Sequence, residues 1–153
     1  MLRRKVTERL LEWKRISHKA LLVTGARQIG KSYAIRDFGR SNYGVYYEAN
    51  LLLDADARES LTKARDAADF VSRVAMLSKQ TLVEGDTLIF VDEIQEFPEI
   101  VTLMKALVED GRFSYVFSGS MLGTEFKGIS SFPVGYVERI TMRPLDFEEY
   151  CWA

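Results

Sequence analysis

Apolar side chains at Leu2, Val6, Leu10 and Trp13 recur every three or four residues. That spacing puts them on one face of an amphipathic helix over 2–16. The pattern then changes. "ALLVT" (20–24) is short and wholly apolar up to its last residue, and it stops at Gly25, as a buried strand does. A helix is expected to open at Lys31 and to close by Gly39. "VYYEAN" (45–50) reads as a second strand, and 54–80, charged with apolar interruptions and few breakers, as one or two helices. "TLIFVDEI" (87–94) is an apolar run that ends in two carboxylates, and it reads as a third strand. "FPEIVTLMKALVED" (97–110) reads as a helix with Pro98 near its first turn. "YVFSGS" (115–120) is a fourth strand and "YVERITM" (136–142) a fifth. Between them, 121–135 carries Gly123, Gly128, Pro133 and Gly135 and reads as loop. "PLDFEEYCWA" opens like a helix, with Asp146 at the cap and Glu149 three residues later, the spacing of a capping box.

Strands that alternate with helices predict an α/β fold with a parallel sheet covered on both faces. "TLIFV" and "YVF" are apolar on both faces, so they belong in the middle of that sheet. At 153 residues and 47% hydrophobic, the chain supports one core and hence a single domain, 1–153. The last helix has room for only about one turn, so the chain is read as the N-terminal part of a longer protein. A net charge of −1 gives no general attraction for nucleic acid or membrane. Cys151 is the only cysteine, which excludes an internal disulfide and suits a reducing compartment. No apolar run approaches the roughly 18 residues a membrane span needs, and the basic N-terminus lacks the apolar stretch of a signal peptide. A cytoplasmic location without a membrane partner is expected.

The chemistry concentrates after the first strand. "GARQIGKS", from Gly25 to Ser32, fits G-x-x-x-x-G-K-[ST], the phosphate-binding P-loop. Each residue type has a reason. Glycines let the backbone turn around a phosphate with no Cβ in the way. Successive N–H groups then point at the anion, and the opening of the next helix adds its positive dipole end. Lys31 supplies a full charge to the β- and γ-phosphates, and the Ser32 hydroxyl is a ligand for the bridging Mg²⁺. The nucleotide-contacting set is therefore Gly25, Ala26, Arg27, Gln28, Ile29, Gly30, Lys31, Ser32 and Tyr33, with Arg27 and Gln28 open to nucleotide, solvent or a partner.

"LIFVDEIQ" is the second signal. Magnesium is a hard cation that keeps most of its waters and favours a nearby carboxylate. Asp92 at the strand end suits that task, acting through the ion's waters. Glu93 is then placed to polarise a water for in-line attack on the γ-phosphate. The third signal is "YVFSGS", whose Ser118 or Ser120 could reach the γ-phosphate or help place the water. His18, the only histidine, has no ligand or nucleophile context and is expected at the surface. Arg3, Arg4, Lys5, Arg9, Lys14, Arg15 and Lys19 make the N-terminus basic; a solvated helix face is the first expectation and nucleic-acid binding the second.

Taken together, "LLVTGARQIGKS", "LIFVDEIQEFP", "YVFSGSMLG" and "SSFPVGYVERITMRPLDFEEYCWA" resemble the AAA-type ATPase domain of a prokaryotic ATPase family whose members carry an additional C-terminal domain. The resemblance covers nearly the whole chain. It implies a P-loop NTPase fold, a three-layer α/β/α sandwich with a parallel five-stranded sheet of order 5-1-4-3-2. It implies ATP and Mg²⁺ as cofactors, Gly25 to Ser32 as the phosphate loop, Asp92 and Glu93 as the metal and water pair, and Ser118 to Ser120 as the sensor segment. It further implies a C-terminal domain as partner. No motif assigns an arginine finger to Arg139 or Arg143.

Other P-loop classes fit less well. There is no arginine-rich lid for a kinase, no N-K-x-D or D-x-x-G for a GTPase, and no L-S-G-G-Q for a transporter ATPase. Two readings stay open. One is an ATPase that hydrolyses ATP with Mg²⁺ through Lys31, Ser32, Asp92 and Glu93. The other is an ATP-dependent switch or binding module with little turnover, acting on nucleic acid or a protein partner.

Overall fold

The computed structural model describes residues 4–120, 133 and 135–152. The elements run α1 (Lys5–Ile16), β1 (Ala20–Thr24), α2 (Lys31–Asn42), β2 (Val45–Asn50), α3 (Ala55–Thr62), α4 (Ala67–Ser78), β3 (Thr87–Asp92), a 3-10 turn (Ile94–Glu96), α5 (Ile100–Asp110), β4 (Ser114–Gly119), β5 (Val137–Thr141) and α6 (Phe147–Cys151). The sheet has five strands in the order β2-β3-β4-β1-β5, all pairs parallel. Read from the other edge this is 5-1-4-3-2, the order that the resemblance implies.

The side-chain alternation of the strands divides the core in two. Leu21 and Val23 of β1, Leu88 and Phe90 of β3, and Val116 of β4 face Val6, Leu10 and Trp13 of α1 and Ile35 and Phe38 of α2. The intervening Leu22, Ile89, Val91, Tyr115 and Phe117 face Leu61, Phe70, Val74, Met104 and Leu107 of α3, α4 and α5. A strand buried on both faces has no polar side to spare, which is why β1, β3 and β4 read as continuous apolar runs. β3 and β4 are flanked on both sides, as their composition demands.

Element ends differ from expectation for local reasons. α2 does not close at Gly39 but continues to Asn42. Gly39 is a packing residue: a Cβ there would lie 2.4 Å from the Tyr46 ring and 3.0 Å from Leu88. The third strand stops at Asp92, because Glu93 turns into the left-handed region at φ +59°. The helix expected from 97 begins at Ile100, after a turn containing Pro98. Residues 54–80 form two helices, capped by the Asp54 and Asp66 carboxylates. α6 has the expected capping box, Asp146 and Glu149 each bonding the other's backbone. The expected helix position of Leu2, the basic residue Arg3 and the loop glycines Gly123 and Gly128 lie outside the described residues.

Arg9, Lys14, Arg15, Lys19 and His18 are exposed as expected. Arg4 is the correction. It is not part of a solvated face but 9% exposed, its guanidinium turned inward. A nearby buried carboxylate, Glu149, draws it there. No helix among the described residues is long and apolar enough to cross a membrane.

Candidate functional site

All five strands run the same way, so their carboxyl ends share one edge of the sheet. The turns after β1, β3 and β4 meet there, with β4 between the other two. Such an edge is where open α/β sheets bind ligands. The loop from Gly25 to Gly30 needs unusual backbone. Gly25 has φ +149°, and a Cβ on it would meet the Met142 carbonyl at 2.4 Å. Gln28 and Gly30 are also left-handed, at φ +62° and +90°. Gly30 caps α2 without a side-chain acceptor, which leaves the first N–H groups of the helix open to an external anion.

Lys31 is buried, and its ammonium folds back over the loop to donate to the Gly25 carbonyl at 2.8 Å and the Ala26 carbonyl at 2.6 Å. Burial pulls its pKa below the usual lysine range; the nearby carboxylates of Glu93 and Asp92 oppose that, and Arg27 adds to it. A negative ligand placed here would find an incompletely compensated cation.

Asp92 ties the start of α2 to the ends of β3 and β4. One carboxylate oxygen accepts from the Ser32 hydroxyl of α2; the other accepts from the Ser118 hydroxyl of β4 and, at 2.9 Å, from the Glu93 N–H. Asp92 and Ser118 are both almost fully buried. Ser120 instead meets the loop itself, accepting from Arg27 Nε at 3.4 Å. The Glu93 carboxylate accepts a hydrogen bond from Gln95 Nε2, while Gln95 Oε1 is buried without a partner among the described residues. Arg27, Gln28, Gly30, Lys31, Ser32, Tyr33 and Glu93 line one open depression of about 300 Å³.

The residues present fit a magnesium ion brought by a nucleotide. Ser32 and Asp92 offer an all-oxygen, hard donor pair. No three His, Cys, Asp or Glu side chains cluster as a metal site among the described residues. Mg²⁺ usually keeps several waters and is held by one or two carboxylates plus substrate phosphates, which this donor pair suits.

Of the residues singled out in the sequence, Lys31, Ser32, Asp92, Glu93, Ser118 and Ser120 come together at this edge. Ser118 reaches Asp92, whereas Ser120 reaches Arg27. Arg143 is exposed beyond β5. Two contributors carry no functional signal in the sequence. Gln95 touches Glu93 two residues away, a spacing visible in the sequence once Glu93 is known to turn. Arg4 donates to the Ile29 carbonyl at 3.0 Å and pairs with Glu149 at 3.2 Å, across 25 and 145 residues of sequence, which no local pattern signals.

A family model described as an AAA domain matches residues 17–151. No curated protein matches the chain significantly. Among solved structures, a Walker-type ATPase of Pyrococcus abyssi superposes with a TM-score of 0.58 at 16% identity, over 97% of this chain and 55% of that one. The Pif1 helicase from Candida albicans superposes with a TM-score of 0.56 at 17% identity, over 95% of this chain and 41% of that one. The chain thus spans about half the length of these structures. At such identities the likeness is one of fold.

Proposed function

The chain belongs to the AAA domain family of ATP-binding NTPases, and on that premise we propose that it hydrolyses ATP to ADP and phosphate at the depression between Lys31 and Glu93. The observation that carries the reading is the meeting of two chain-distant motifs. The Ser32 hydroxyl and the Asp92 carboxylate, 60 residues apart, are hydrogen-bonded beside the depression that Lys31, Ser32 and Glu93 line.

In this reading the loop N–H groups and the N-terminus of α2 bind the phosphates. The Lys31 ammonium leaves the Gly25 and Ala26 carbonyls for the phosphate oxygens, where its charge is more strongly compensated. Ser32 and Asp92 would hold Mg²⁺, directly or through its waters, and the ion would supply neutralisation of phosphate charge. Glu93 accepts the proton of the attacking water. The water oxygen bonds to the γ-phosphorus, the bond to the β–γ bridging oxygen breaks, and ADP leaves with that electron pair. Asp92 is held by Ser118 and the Glu93 N–H, so it keeps its place while the ligand exchanges.

Calorimetric titration with Mg-ATP and Mg-GTP tests the binding half, with Lys31→Ala alongside. ATP binding that Lys31→Ala abolishes supports the site; wild-type protein that binds neither nucleotide refutes it. One observation favours a second reading, an ATP-dependent switch with little turnover acting on nucleic acid or a protein partner. The Glu93 carboxylate is already engaged by Gln95. Turnover that stays near zero until DNA or a protein partner is added would select that reading.

A further inference from the structure

Arg4 precedes α1 in extended backbone, and its guanidinium donates to three separate parts of the chain. Nη1 reaches the Ile29 carbonyl at 3.0 Å, Nη2 the Arg143 carbonyl at 2.9 Å, and Nε the Glu149 carboxylate at 3.2 Å. A planar fork of fixed donors defines the relative positions of its acceptors better than a single charge would. The acceptor that matters is Ile29. Its C=O and the N–H of Gly30 belong to one planar trans peptide unit, so they point in opposite directions. Gly30, at φ +90° and exposed, has no Cβ to resist rotation of that plane. Holding the carbonyl toward Arg4 turns the Gly30 N–H outward from Arg4, at the point where the loop enters α2.

Arg4 is in turn fixed by α6. Glu149 Oε1 accepts from Arg4 Nε and, at 2.8 Å, from the Lys5 N–H; Oε2 accepts from the Asp146 N–H at 3.2 Å and closes the capping box. Lys5 Nζ adds contacts to Asp146 at 2.7 Å and Glu148 at 2.8 Å on the surface. The start of α1, the loop before α2 and the start of α6 thus meet at one buried guanidinium.

We propose that Arg4 is a positioning residue that sets the Ile29–Gly30 peptide plane for phosphate binding and, through Glu149, makes that setting depend on the seating of α6. The proposal rests on the reading of Gly25–Ser32 as a phosphate loop. It is tested on the 153-residue chain with Arg4→Ala, Arg4→Lys, Glu149→Gln and the double variant Arg4→Ala/Glu149→Gln. Arg15→Ala, on the exposed side of α1, is the control. Two readouts are taken: the dissociation constant for Mg-ATP, and the ¹H–¹⁵N resonance of the Gly30 amide without nucleotide. Thermal melting establishes which variants are folded.

Loss of a charged donor to a loop carbonyl is expected to weaken Mg-ATP binding by about 10-fold or more in Arg4→Ala. The Gly30 resonance should shift with it. Arg4→Lys keeps the charge without the fork and recovers only part of the affinity. Glu149→Gln should weaken binding about 3-fold, within the range of coupling through a packed network. The double variant should bind no more weakly than Arg4→Ala alone, since both act through one contact. Arg15→Ala should move neither readout. A folded Arg4→Ala with wild-type affinity and an unmoved Gly30 resonance overturns the proposal; if Arg4→Ala does not fold, the same outcome for Arg4→Lys overturns it. Wild-type protein that binds no ATP sinks the nucleotide reading instead. In that case the Gly30 resonance alone decides the positioning: a shift upholds it and no shift overturns it.

Discussion

Gly25→Ala isolates how tightly the loop is built against β5. Two costs are separable. The first is conformational: φ +149° belongs to a region that only glycine enters readily, and an alanine there costs about 1–3 kcal/mol. The second is steric. The new Cβ would sit 2.4 Å from the Met142 carbonyl oxygen and 2.8 Å from Ile29 Cδ1, where ordinary contact begins at 3.4 Å. The oxygen must therefore retreat by about 1 Å, and it belongs to backbone that is anchored by the Met142 N–H bonding the Thr24 carbonyl at 2.7 Å. Overpacking of that kind adds about 1–3 kcal/mol, for a total of roughly 2–6 kcal/mol. At about 2–4 °C per kcal/mol for a chain of this size, the melting temperature should fall by roughly 5–20 °C. Gly85→Ala is the matched control: φ +78° is also strained for alanine, but no atom lies within 4 Å of the added Cβ. It should show the conformational cost alone. The assay is differential scanning calorimetry of both variants without nucleotide. Melting of Gly25→Ala within about 2 °C of Gly85→Ala would mean that the Met142 contact constrains nothing, and the steric half of the reasoning would fail.

Three further outcomes are expected. Glu93→Gln should keep Mg-ATP affinity and lose turnover by about 10² or more, read as phosphate release in single-turnover conditions; wild-type turnover in that variant would remove Glu93 as the base. Gln95→Leu deletes the donor to Glu93 and should lower turnover by about 10-fold at unchanged affinity, while a rise in turnover would instead favour the switch reading. Glu149 is one of the carboxylates that contribute a pH dependence. Burial alone would raise its pKa, but the Lys5 and Asp146 N–H groups and the Arg4 guanidinium outweigh that and hold it below the usual glutamate range. A depressed folded pKa gives stability that is fully present above the unfolded value, near 4.5, and lost as pH falls through the folded one. Glu149→Gln should therefore cost about 2 kcal/mol at pH 7, and the difference from wild type should shrink below about pH 4 in urea melts; a pH-independent difference would contradict it.

The sequence exposes what is local and hides what is assembled. The P-loop is legible because the constraint acts within eight residues: a strand end, two glycines, a lysine and a hydroxyl. Strand membership is legible because β1, β3 and β4 are buried on both faces and so carry polar side chains only at or next to their ends. Gly39 misleads because a glycine near a helix end usually signals termination, whereas here it makes room for a ring on the next strand. Arg4 misleads for a similar reason. Six of the seven basic residues expected on a solvated face neighbour it along the chain, and nothing in 1–19 shows that its carboxylate partner lies 145 residues away. The same separation explains its interest. Lys31, Ser32, Asp92 and Glu93 would place a reacting phosphate, yet the peptide that precedes Lys31 by one residue is held from outside the motif. A loop whose Ile29 carbonyl is bonded to the arginine that caps α1, itself paired to a glutamate on α6, is tied to both helices at once. In the proposed coupling, a change at Arg4 reaches the Ile29 carbonyl through one hydrogen bond and a change at Glu149 through two.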